Sequence, residues 1–183
     1  MTVTMATRQA TARDLSVNAA VLGVAATVWF GWAQEAPPEG WSLPLGIGSG
    51  TGVLIAVLAG VSAWRSWQSG SAMADASGRR TYNWAVGAEV IAIAVGVVAL
   101  ALIGQSAYLA PWILLVVGTH FVPLGDLFAI RSLKLAGVLL AVVSAVAVVV
   151  GLVWTVTPSA VAGGAGGVIL VAFAIWALLK VWR

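Results

Sequence analysis

Six apolar runs, each long enough to cross a bilayer, constrain this chain more than any other feature. They cover approximately residues 15–33, 43–64, 84–104, 108–130, 135–154 and 161–182. A hydrocarbon core about 30 Å thick takes roughly 20 residues of helix at 1.5 Å each. The runs do not alternate with period two, so they do not read as barrel strands. A helix satisfies its backbone hydrogen bonds internally, which lipid demands. Only 8 % of the 183 residues are charged and the mean hydropathy is +1.04, whereas a soluble domain carries roughly 25 % charge. The expected fold is all-α: a single six-helix transmembrane domain over residues 1–183.

The nine Lys and Arg residues orient that domain. Arg8 and Arg13 precede the first run, and Arg65, Arg79 and Arg80 lie between the second and third. Arg131 and Lys134 separate the fourth and fifth, and Lys180 and Arg183 follow the sixth. All fall on one side, while the opposite loops, 34–42, 105–106 and 155–160, carry none. The positive-inside rule then places both termini in the cytoplasm. The sequence pI of about 10 reads as topology rather than nucleic-acid binding. The excess of Ala, Val and Gly, with Arg over Lys, suggests a bacterial inner membrane. The first run is longer than the 7–15 residues of a signal-peptide core and ends in tryptophans, so it is expected to stay as an anchor. Most of the ten tryptophans fall near run ends, as an interfacial belt does. Trp29, Trp32 and Trp41 are the alternative, a cation-binding cage.

Several chemistries are excluded. Without cysteine there is no disulfide, thiolate nucleophile or cluster ligand. No Gly-x-Ser-x-Gly elbow, P-loop or paired-histidine zinc spacing occurs. No catalytic residue, cofactor or metal is expected, and no nucleic acid. The expected partners are membrane lipids, a small-molecule ligand, and a second copy or another membrane protein.

Between the runs, residues 68–81 read as a flexible linker that anchors to anionic lipid. The prolines Pro37 and Pro38 stiffen the first outer loop, as a turn or a lid. Gly46, Gly48, Gly50 and Gly52 open the second run, and Gly163, Gly164, Gly166 and Gly167 open the sixth. They suit close helix packing, or flexible outer halves as in discontinuous transporter helices. Asn18 with Asn83, and Arg65-Ser66 with Arg131-Ser132, suggest repeated hairpins with each Arg-Ser closing a run.

Ionisable residues inside spans are the functional candidates. Glu89 lies about 8 Å inside the third span by the helix rise, and His120 about 15 Å inside the fourth. Asp126 sits one turn inside the inner boundary of the same span. Pro123 has no amide hydrogen, so it kinks the helix and frees the carbonyl of Thr119 beside His120. The short connection makes the third and fourth spans antiparallel neighbours, with Glu89 expected opposite residues 124–128, closer to Asp126 than to His120. Three readings stay open. Glu89, His120, Asp126 and Thr119 line a cavity that binds a solute or relays protons, for which histidine is suited. Glu89 and Asp126 pair with Arg80, Arg131 or Lys134 and staple helices. Or the histidine and carboxylates hold a metal.

Val117-Gly118-Thr119-His120-Phe121-Val122-Pro123-Leu124-Gly125-Asp126-Leu127-Phe128 resembles a segment of small uncharacterised bacterial multispan membrane proteins with a Gly-x-His-Phe-x-Pro-Leu pattern, which Gly118, His120, Phe121, Pro123 and Leu124 fit. The resemblance spans about a dozen residues and implies only that the His–Pro notch is a shared feature. The expected function is small-solute binding or transport through a polar notch between spans three and four. The alternatives are a non-catalytic accessory subunit of a larger membrane complex and, third, an enzyme acting on lipid or quinone.

Overall fold

Three of the helices start at side chains that cap free amides. Thr11 accepts from the amide of Asp14 and starts α1 (Ala12–Ala33), and Asp75 accepts from Gly78 and starts α3 (Ala76–Leu102). Thr157 accepts from Ala160 and starts α6 (Pro158–Trp182), with Pro158 in the first turn, where its missing amide hydrogen costs nothing. The others are α2 (Ser42–Arg65), α4 (Leu109–Leu127) and α5 (Arg131–Val153). The computed structural model describes residues 10–183; Arg8 lies outside them. All six helices are long and apolar enough to cross a membrane, and the described residues contain no strand. This is a multi-pass membrane protein.

The helices α6, α1 and α4 form the interior. α6 packs on α1, α5, α2 and α4, and half of its most apolar stretch is buried. α3 stands at the periphery, packed chiefly on α4, with 6 % of its apolar stretch buried. α1 is integral to the core through Ala19, Leu22, Ala26, Trp29 and Phe30.

Glycine sets the closest helix approaches. A Cβ on Gly23 would lie 2.8 Å from the carbonyl oxygen of Gly52, and one on Gly118 would lie 2.7 Å from that of Gly137. These contacts pin α1 to α2 and α4 to α5. Gly48 and Gly167 lie against the Phe30 ring and Gly163 against the Trp29 backbone, whereas Gly46 and Gly50 meet nothing. The close-packing expectation is met in part. α2 and α6 run unbroken, so neither has the discontinuous outer half that was the alternative.

Two further expectations are corrected. Residues 68–81 do not form one linker. Asp75 caps α3 at Ala76, so Arg79, Arg80 and Thr81 are helical, and the 27 residues of α3 extend about 40 Å, longer than the bilayer core. The remaining loop is laid down on α1. The buried Asp14 carboxylate accepts from Ser71 Oγ at 2.7 Å and from the Ala72 amide at 2.9 Å. The Arg13 guanidinium covers the Trp67 ring at 3.5 Å. The hairpin repeat also fails: Arg65 ends α2, but Arg131 opens α5. α4 stops at Leu127 because Ala129 turns left-handed (φ 55°). The Ile130 amide donates to the Gly125 carbonyl and the Ala129 amide to Asp126, a Schellman turn with alanine where glycine is usual.

Candidate functional site

The peripheral α3 is joined to α4 by two polar contacts. Near the turn, the Trp112 indole N–H donates to the Ala92 carbonyl at 3.1 Å. Its ring lies where a Cβ on Gly96 would stand, 1.8 Å from Nε1, so only glycine fits there. Deeper in, His120 reaches across to α3. Its Nδ1 lies 3.2 Å from the Ala85 carbonyl oxygen and its Nε2 3.6 Å from Oε2 of Glu89. The His120 side chain is 8 % exposed and that of Glu89 19 %, so both are largely withdrawn from the surface.

This geometry fixes the orientation of the ring. A carbonyl oxygen only accepts, so Nδ1 carries the hydrogen in that bond. Nε2 is left facing the carboxyl group. At 3.6 Å Nε2 and Oε2 sit just beyond hydrogen-bond distance, so a third polar group can bridge them.

The pair stands on the wall of a cleft of about 430 Å³ between α3 and α4, within the 300–1,000 Å³ range of small-molecule sites. Its polar lining is Glu89, His120 and Thr119; Ala88, Trp112 and Pro123 are among the apolar lining. The Thr119 hydroxyl donates to the Val116 carbonyl at 2.9 Å, so its oxygen retains an acceptor site. α4 runs through Pro123 without interruption, and Pro123 offers the Thr119 carbonyl no amide hydrogen. Ala88, Thr119 and Pro123 are exposed, so the cleft opens at the side of the bundle.

Thus Glu89, His120, Thr119 and Pro123 come together and Asp126 does not. Asp126 is exposed and paired with Lys134 across the α4–α5 turn, the staple arrangement. Glu89 meets His120 rather than residues 124–128. A 3₁₀ turn, Ser106–Tyr108, leads into α4. At about 2 Å per residue it adds roughly 6 Å on the α4 side, and His120 stands level with Ala85 and Glu89. Among the described residues, no three His or carboxylate side chains gather to hold a metal. Trp29 and Trp32 are stacked face to face at 5.4 Å and Trp29 is buried, so they do not enclose a cation between them. Sequence reasoning missed Trp112 and Gly96; a tryptophan near a span end resembled an ordinary belt residue.

No known protein family, curated protein or solved structure matches the chain. What fold and site define is a class: a six-helix membrane protein with a His–Glu pair in a lateral cleft.

Proposed function

We propose that this protein binds a small solute in the α3–α4 cleft, with His120 and Glu89 as its proton-sharing contact and Thr119 as a further acceptor. One observation carries this reading: His120 is held by the Ala85 carbonyl so that Nε2 faces Glu89 on the wall of a cleft of about 430 Å³. A helix staple would not need to border open space. Transport would follow if binding moves α3, the most weakly held helix. All Lys and Arg residues lie on one side of the six spans, which supports cytoplasmic termini, and the composition supports a bacterial inner membrane.

The test is native mass spectrometry of the protein extracted gently from its own membrane. The expected result is a bound small molecule, lost in Glu89→Gln and His120→Ala while both variants remain folded. Retention of the molecule by both variants overturns the reading. The sparse packing of α3 favours a second reading, an accessory subunit whose α3 lies against another membrane protein. A stoichiometric protein partner with no small molecule would select it.

A further inference from the structure

The notch adjoins a second groove along α3. Beside Ala88 and Ala92, the α3 residues Asn83, Trp84, Gly87, Ile91 and Val95 line, with Trp112, a second, open space of about 760 Å³. Both spaces are bordered by Ala88, Ala92 and Trp112. Two alanine methyl groups make a low ridge, so one elongated molecule can lie across it with an end in each space. Apart from Asn83 the second space is lined by apolar side chains and glycine, while the notch offers hydrogen-bonding groups. Trp84, Ala88, Ile91 and Val95 are exposed on the outer side of α3, within its membrane-spanning stretch. The opening therefore faces lipid.

The chemistry of the notch narrows the occupant. No Lys or Arg lines either space, and Glu89 stands in the notch, so nothing there holds an anionic head such as phosphate. The facing Nε2 and Oε2, 3.6 Å apart, suit a neutral group that both donates and accepts. Building on the proposed function, we infer that the solute is a single-chain amphiphile with a small, uncharged, hydroxyl-bearing head, taken up sideways from the bilayer. Its head sits at His120 and Glu89, and its tail runs along Trp84, Ile91 and Val95.

The probe is a long-chain primary alcohol with a diazirine in its tail, photolysed with the full chain in phosphatidylcholine vesicles. Labels should concentrate on Ile91, Val95 and Trp112, above those on the lipid-facing Val142 and Val146 of α5. Excess unlabelled alcohol should compete. Ala88→Trp, at an exposed site that should tolerate it, should cut labelling of α3 by about tenfold or more, as loss of about 1.4 kcal/mol of binding would. Glu89→Gln and His120→Ala should lower it several-fold, with α5 labelling unchanged in all three. Equal labelling of α3 and α5 overturns the inference, as does α3 labelling that ignores the notch variants. If a water-soluble solute is instead found at His120 with no tail labelling, the notch reading stands and this inference falls. If neither is found, both fall.

Discussion

At the residue scale, His120 matters because its two ring nitrogens are given different work. The Ala85 carbonyl holds one and leaves the other to Glu89. Glu89→Gln keeps size and shape but removes the carboxyl group that faces Nε2. It should weaken solute binding by about 1.5–3 kcal/mol, the range for hydrogen bonds to charged groups, with little loss of fold, measurable by ligand titration in nanodiscs. Ala129 is the opposite case, a residue whose side chain works against its backbone. In the left-handed region a Cβ costs roughly 1–2 kcal/mol, so Ala129→Gly should stabilise the protein by about 1 kcal/mol in reversible unfolding from mixed micelles. Both residues stood in the sequence without their meaning. His120 and Glu89 were identifiable as ionisable groups at depth, but their contact depended on a register that the residues themselves do not carry.

At the element scale, that register comes from the connection between α3 and α4. The short loop correctly indicates an antiparallel pair. The 3₁₀ geometry of Ser106–Tyr108 is set by how the turn packs, and no residue pattern announces it. The start of α3 was hidden for a related reason: Arg79, Arg80 and Thr81 are polar, so hydropathy alone ends the span at Trp84, although Asp75 followed by small residues is a good cap. With α3 held mainly by α4, the Trp112–Gly96 contact should decide whether the hairpin closes. Gly96→Val places side-chain atoms inside the indole and should destabilise the hairpin by about 1–3 kcal/mol. Spin labels on α3 and α4 should move apart, and solute binding should fall with them. At the loop of residues 66–75, Asp14→Asn weakens the hydrogen bonds to Ser71 and Ala72. Amide exchange there should accelerate about tenfold or more, since a charged hydrogen bond is worth about 1.5–3 kcal/mol.

At the scale of the whole molecule, span number and the shared side of the charges were legible in the sequence, because both follow from run length and charge position. The pairing order was not. Small residues mark every helix, and only the fold shows which of them meet: Gly23 with Gly52 and Gly118 with Gly137, while Gly46 and Gly50 stay open. The absence of native cysteine makes topology simple to test. A single cysteine at Ser69 should react with an impermeant maleimide only from the cytoplasmic side, and one at Glu39 only from the other. The reverse pattern would invert the orientation.

The most direct test of the central claim uses the fact that His120 is the chain's single histidine. Nitrogen-15 labelling of histidine alone gives one imidazole spectrum in lipid nanodiscs. The expected spectrum shows a hydrogen-bonded Nδ1–H and an Nε2 resonance that shifts when Glu89 is replaced by Gln. A ring that exchanges freely between tautomers and ignores that replacement would contradict it, and the notch would lose its proton-sharing pair.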